Sequence, residues 1–491
     1  MRTIGVFVLC VGCVPDPKLP ADSGDSAVAT TDSSPPDSET ADTAQDTADS
    51  APPDDSAPDT APPDDTALDT AEPETERTVA AADAYFVRTD IRDDVGSIVR
   101  PAGDLDGDGT PDLLLARDIL SEDTPVTVVP STITGEVILA DQPIQLVPNG
   151  PIERLGAVAT GVGDLDGDGW DDLLVGCSDA DRLGAVLVTG PVTGTPDLSG
   201  AAFVHLDRYR GIFDDAVGPG DLTGDGIADL LLSDYGADGN GVYILAGPIT
   251  GDRTVSEPEV VVQRAPTSGQ PINRAGDLNG DGLQDLILGR ADLDYGGGMV
   301  FFGPQSAGSL SPADYDIYVA STQHEDGLGR AVGPAGDLDG DGLDDALLSA
   351  PHRDDSGVVF VLAGGLEGSF LARHFTDYIM GPTGTHSQTG RTFASLGDLD
   401  PDGFDDLAVS APIYHGPEVS QLGAVYILHG PISGTVRTTS ASLSLYGAER
   451  WDNVGEDLTA VPDVDGDGRP ELLAGNRQTN EVGAWLFHHI H

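Results

Sequence analysis

From about residue 81 onward the apolar residues fall into short runs separated by turns rich in glycine, proline and aspartate. They do not recur at the 3.6-residue interval of a helix. Small residues lead in at Leu328-Gly329-Arg330-Ala331-Val332-Gly333, and an acidic loop follows. Ala346-Leu347-Leu348 then reads as a second strand and Gly357-Val358-Val359-Phe360-Val361-Leu362 as a third. A turn often written Gly-Pro-x-Thr/Ser-Gly comes next, as at Gly247-Pro248-Ile249-Thr250-Gly251 and Gly430-Pro431-Ile432-Ser433-Gly434. A last strand such as Glu259-Val260-Val261-Val262 closes the unit. Four short strands with turn signals between them predict a propeller blade. A parallel β-helix is the structural rival, but its repeats run nearer about twenty residues.

The acidic loop sets the count. Its first aspartates are Asp104, Asp164, Asp221, Asp277, Asp337, Asp398 and Asp463, at gaps of 56 to 65 residues. The expected fold is all-β, a seven-bladed β-propeller of four-stranded blades occupying residues 81–491. The last unit ends with its third strand, Val482 to Phe487, while Ala84-Tyr85-Phe86-Val87-Arg88 stands where a fourth strand precedes every other loop. Residues 84–89 are therefore expected to complete the seventh blade, which removes two open sheet edges at once.

Carboxylates at the first, third and fifth positions of a tight turn converge on one point, with a glycine at the sixth supplying left-handed backbone. Several oxygens around one centre suit a hard cation, and the ninth residue closes the set. The expected ligands are Asp104, Asp106, Asp108, Asp112; Asp164, Asp166, Asp168, Asp172; Asp221, Thr223, Asp225, Asp229; and Asp277, Asn279, Asp281, Asp285. They continue with Asp337, Asp339, Asp341, Asp345; Asp398, Asp400, Asp402, Asp406; and Asp463, Asp465, Asp467, Glu471. In the helical calcium loop the closing acid sits at position 12, whereas here it sits at position 9 and strands flank the loop, so an EF-hand is not expected. The plainer reading is a solvated turn whose aspartates satisfy backbone donors. Clustering like charges seven times favours up to seven Ca²⁺ ions. Two loops depart from the rest: Pro401 stands where the others have Gly, and Glu471 is the longer closing arm.

Together the loops, Leu155-Gly156 and Leu328-Gly329 ahead of them, and Ser349-Ala350-Pro351 and Ser410-Ala411-Pro412 after them resemble the FG-GAP repeats of integrin α-subunit propellers and their bacterial relatives. The resemblance covers roughly residues 84–491. It implies calcium in the loop between the first two strands of a blade. It also implies that ligands meet the opposite face, formed by the loops joining strands two and three and those joining one blade to the next. Uncommon aromatic and imidazole side chains fall in that second set of loops: Tyr235, Tyr295, Tyr414 and His415 are the chosen contacts. Aromatic faces suit both sugar rings and protein hot spots.

Composition narrows the partners. With 84 acidic against 23 basic residues the formal net charge is −61, which argues against nucleic acid and against docking on anionic lipid. Arg2, the apolar stretch Ile4 to Val11 and Gly12-Cys13 describe a secretory signal at 1–13. Its end resembles a bacterial lipobox, with Cys13 as the lipidated residue; an ordinary cleaved signal is the plainer reading. Residues 14–80 read as a disordered acidic Asp/Thr/Ala/Pro tether, with 18 acidic residues between 14 and 77 against Lys18 and Arg77. The expectation is an exported monomer, lipid-anchored at the outer membrane or cell surface. Cys10, Cys13 and Cys177 are too few for a disulfide framework.

No Gly-x-Ser-x-Gly elbow, His-Glu-x-x-His or phosphate loop after a strand is present, so no enzyme is expected. The favoured function is a calcium-binding adhesion or ligand-binding module for an extracellular protein or glycan. The alternatives are a carbohydrate-active enzyme with its site on the propeller face, or a purely structural surface protein. His488, His489 and His491 could trap a transition metal, though a frayed strand end is the plainer account.

Overall fold

The structure, a computed structural model, describes residues 76–490 apart from 89–94, 122–124, 180–182, 207–212, 235–240, 257, 264–270, 292–294, 306–307, 312, 384, 417–419 and 478–481. The expectations for the signal, Cys13, most of the tether, Tyr235 and His491 lie outside the described residues. Those described form seven sheets joined by loops and short 3-10 turns, and no helix is long and apolar enough to cross a membrane.

Each acidic loop joins the first two strands of one sheet. Blade 5 shows the order: Val332–Gly336, Asp345–Ala350, Val358–Leu362 and Tyr378–Met380 pair antiparallel in sequence order. The first strands of the seven blades are Ile98–Gly103, Ile152–Gly163, Phe213–Gly220, Ile272–Gly276, Val332–Gly336, Phe393–Gly397 and Leu458–Val461. Each neighbours the next around a ring, and the last returns to the first.

Second and third strands are apolar at nearly every position because neighbouring blades cover both their faces. Asp112–Ala116, Val358–Leu362 and Ala424–Leu428 are buried throughout. Alternation is therefore absent where a strand is covered twice. The core is divided into wedges between blades. Val359 and Val361 of blade 5 pack with Leu407, Val409 and Leu428 of blade 6. Truncating one such side chain, for example Leu347→Ala, is expected to cost about 2–5 kcal/mol.

The seventh sheet is made from both ends of the described chain. Ala84–Val87 lies antiparallel to Val482–Phe487, with Phe86 opposite Ala484. The wedge this creates holds Ala84 and Phe86 against Leu113, Leu115, Leu473 and Leu486. Arg88 reinforces it by donating to the carbonyls of Val95, at 2.6 Å, and Asn476, at 2.5 Å.

To the four antiparallel strands most blades add a short parallel one, borrowed from the following blade. Gly135–Ile138 runs beside Ala84–Val87, Gly368–Leu371 beside Ile317–Ala320, and Thr435–Arg437 beside Tyr378–Met380. The connection after a third strand thus covers the previous blade's exposed edge before returning as a fourth strand. Where blade 1 meets blade 2, the Asn149 amide takes this part, accepting from Leu198 N and donating to Pro196 O. The same need engages Glu76–Thr78, which precede the boundary expected at 81. Glu76–Thr78 runs parallel to the edge strand Leu443–Tyr446, and Val79 is buried against the wedge between blades 6 and 7.

Candidate functional site

Blade 5 shows how nine residues make one acidic loop. Asp337 accepts through Oδ1 from the N–H groups of Gly340 and Asp341, and through Oδ2 from Gly342. Asp339 accepts from Asp341 N and Asp341 from Leu343 N, each two residues on. The chain can coil this tightly because Gly340 and Gly342 have φ of 79° and 89°. Asp345 is fully buried; its Oδ2 accepts from Leu338 N and its Oδ1 from Gly364 N, both at 2.9 Å. The closing acid therefore ties the loop to the end of the third strand.

These backbone bonds leave carboxylate oxygens facing one another. Oxygens of Asp337, Asp339 and Asp345 lie within 4.8 Å of each other, as do those of Asp104, Asp106 and Asp108, and of Asp164, Asp166 and Asp172. An all-oxygen set with several negative charges fits a hard divalent cation. Burial pushes the closing acids up, Asp112 and Asp345 to about 7 and Asp172 and Asp285 to about 6. At Asp112 the charge of Asp106 adds to burial, and Asp112 Oδ1 has no partner among the described residues. In blades 2 to 6 that oxygen accepts from the glycine after the third strand, such as Gly190 or Gly430. Blade 1 has Ser131 at that place, and its hydroxyl turns to Pro111 O instead.

The loops are also wired to one another, which the spacing of single motifs did not reveal. Asp171 Oδ2 accepts from Asp104 N, Asp344 from Asp277 N and Asp405 from Asp337 N, at 2.8–2.9 Å. Each donor belongs to the preceding blade. The Gly-Pro-x turn adds a second link: Val192 N donates to Leu105 O and Ile249 N to Leu165 O. The sequence signal for the first link is the doubled aspartate, as in Asp344-Asp345, whose first residue reaches the preceding blade while the second closes its own loop.

The two departing loops differ in structure too. Pro401 has no N–H, so Asp398 Oδ1 accepts from Asp402 alone, and His429 Nδ1 lies 3.1 Å from Asp400 Oδ2. Glu471 takes the ninth place in blade 7, accepting from Val464 N and Asp465 N, and His488 and His489 approach the same loop.

The other rim is built from the loops between strands two and three and between blades. Tyr295 is 53% exposed there, and its ring meets His324 edge-on at 5.8 Å, so two loops contribute one aromatic pair. Tyr414 is half-buried against Tyr446, at 5.3 Å between rings, while His415 is exposed. The first strands enclose an axial cavity of about 680 Å³ lined by Arg100, Asp215, Arg274, Arg330, Arg391 and Glu456, among others. Arg391 pairs with Glu456 at 2.9 Å, and Arg100 with Asp457. Burial, then the charges of Arg391 and Arg477, hold Arg330 below its usual range. These arginines lie far apart in the chain and meet only around the axis, so no spacing along the sequence singles them out.

An FG-GAP repeat model matches residues 389–428, the inner three strands of blade 6. Integrin alpha-PS2 of Drosophila melanogaster is 31% identical over 225 residues, 42% of this chain and 15% of its own. Integrin alpha-4 of Xenopus laevis is 36% identical over 147 residues, 29% of this chain and 14% of its own. Integrin alpha-V of Gallus gallus is 28% identical over 219 residues, 41% of this chain and 19% of its own. The matched part is thus under a fifth of each of these relatives' length. The chain is a seven-bladed β-propeller that carries an FG-GAP repeat and is similar in sequence to integrin α-subunits.

Proposed function

We propose that this propeller is a calcium-stiffened binding module, displayed outside the cell, that holds an extracellular protein or glycan on the rim opposite its acidic loops. The observation that carries this reading is the separation of chemistry between the rims. Carboxylates repeat on one, tied into backbone hydrogen bonds, whereas the exposed Tyr295–His324 pair, His415 and the arginines of the axial cavity lie toward the other; Trp170, 40% exposed in the blade 2 loop, stands on the acidic side. Calcium would be held by the first, third, fifth and ninth residues of the loops, supplying charge neutralisation and rigidity. Tyr295 with His324 and the exposed His415 form the contact surface, and Tyr414 supports it from its packing on Tyr446. Cys13 is proposed to carry the lipid that tethers the module to the outer membrane or cell surface. No catalytic part is assigned to any residue.

The test uses the full chain on arrays of glycans and of extracted surface proteins, with calcium and with chelator. Expected is a calcium-dependent hit that falls at least tenfold in the double variant Tyr295→Ala, His324→Ala while its melting temperature stays unchanged. Undiminished binding by that folded variant would overturn the assignment of the rim. Binding indifferent to chelator would overturn the role of calcium.

A further inference from the structure

Blade 7 replaces three elements of the common loop at once. The ninth residue is Glu471 instead of Asp, and the third strand Val482–Phe487 runs into His488 and His489 where blades 2 to 6 place a residue and then Gly. The described chain fixes both histidines against the loop. His488 N donates to Asp83 Oδ2 at 2.8 Å, Arg77 Nη1 donates to His489 O at 2.9 Å, and Ile490 is buried beyond them.

The His488 side chain is 9% exposed, and neither ring nitrogen has a hydrogen-bond partner among the described residues. A buried imidazole with nothing to bond is costly unless something occupies the space it faces. Its Nδ1 faces acid: Glu471 Oε1 is 3.6 Å away and Asp465 Oδ2 3.8 Å. His489 Nδ1 stands 3.8 Å from the same Asp465 oxygen and 3.7 Å from Asp467 Oδ2. Separations of this size are too long for hydrogen bonds. They approach the spacing of two ligands on a small ion, since donors at about 2.0–2.1 Å in tetrahedral array stand roughly 3.3 Å apart. The Asp465–Glu471–His488 and Asp465–Asp467–His489 groups both bring donor atoms within 4.8 Å of one another.

We infer that the blade 7 loop is a transition-metal site, selective for Zn²⁺ or an ion of like chemistry over Ca²⁺. Asp465, Glu471 and His488 are its inner ligands, and His489 with Asp467 closes its exposed side. Imidazole nitrogen is a ligand for zinc, copper and nickel, whereas calcium takes oxygen. The longer Glu arm reaches the ion while its other contacts keep the loop closed. Blade 6 marks the contrast. His429 follows its third strand in the same way, but its Nδ1 lies 3.1 Å from Asp400 Oδ2, close enough to pair directly, and Gly430 rather than a second histidine comes next; its Nε2 has no partner among the described residues.

The test is a titration of the full chain with Zn²⁺ in saturating Ca²⁺, followed by calorimetry, with Co²⁺ absorbance as a second reporter of nitrogen ligation. Expected is one Zn²⁺ that calcium does not displace, bound at least tenfold more weakly by His488→Asn and by Glu471→Asp, with a smaller loss for His489→Ala. Folding of each variant is checked by its melting curve. Unchanged zinc affinity in a folded His488→Asn protein would overturn the site. So would displacement of the ion by Ca²⁺, or a Co²⁺ spectrum that does not change with the histidine. The reading of the opposite rim stands or falls separately, because none of these variants touches it.

Discussion

The two rims of the propeller are made from the same seven blades and obey different rules. On the loop rim, residues at equal places in each blade make equal contacts: the first aspartate accepts from the glycine turn, and the ninth clamps the second residue. On the opposite rim repetition is only partial, since Arg330 and Arg391 share one place in blades 5 and 6 where blade 7 has Glu456, and pairs form between loops, as Tyr295 does with His324 and Arg391 with Glu456. Repetition marks the part that must hold the ring together. Variety marks the part proposed to meet a ligand. Blade 7 sharpens the lesson, since its loop breaks the repeat and there too the chemistry changes.

The largest difference between the rims should appear on removing divalent cations. Chelator is expected to lower the melting temperature of the whole propeller markedly, because an ion bound only to the folded state stabilises it by mass action and several loops act together. A melting curve indifferent to chelator would mean that the backbone bonds alone sustain the loop rim.

A single closing acid comes next. Asp345→Ala leaves the buried N–H of Leu338 and the half-buried N–H of Gly364 without acceptors, and should cost about 2–4 kcal/mol in denaturant unfolding. A loss below about 0.5 kcal/mol, the size expected at an ordinary surface position, would erase the contrast between the rims.

The smallest effect concerns the axis. Burial, opposed by the nearby Arg100 charge, pushes Asp215 up to about 6. Its unfolded value is about 3.9, so the stability it contributes is full below about pH 4 and is lost as pH rises through about 6. Asp215→Asn cannot ionise, and its single oxygen keeps an acceptor for one of the two N–H groups, Ala216 and Ile272, that now donate to separate carboxylate oxygens, a loss that does not vary with pH. The variant should therefore gain a few degrees on wild type between about pH 4.5 and pH 7.5, read from parallel melts. A constant difference across that range would place the titration elsewhere.

The loop chemistry was legible because it is local. Asp337 to Asp345 contains nearly every donor and acceptor that shapes one loop, so spacing alone located the turns, and seven recurrences gave seven blades. The strands were legible for a related reason: runs covered on both faces must be apolar throughout, as Asp112–Ala116 is after its first residue. The opposite rim was not legible at this level. Tyr414 and Tyr295 look alike in the chain, yet one packs on Tyr446 and the other stands exposed.

What the sequence determined by itself, then, is whatever nine or sixty consecutive residues can satisfy among themselves: the acidic turn, the strand order and the number of units. What the tertiary structure decided is which distant pieces meet. Only the closed ring sets Arg77 beside His489, 412 residues away, and brings Arg88 to Asn476 across 388. The early residues Glu76–Thr78 became a strand because an open edge stood where the ring returned to its start. The unsatisfied nitrogens of His488 likewise exist only because Asp83 and the buried Ile490 hold that ring over the blade 7 loop. Hydrogen bonds within a turn are fixed by spacing along the chain. Contacts between blades depend on how seven sheets pack around one axis, and no local spacing encodes that.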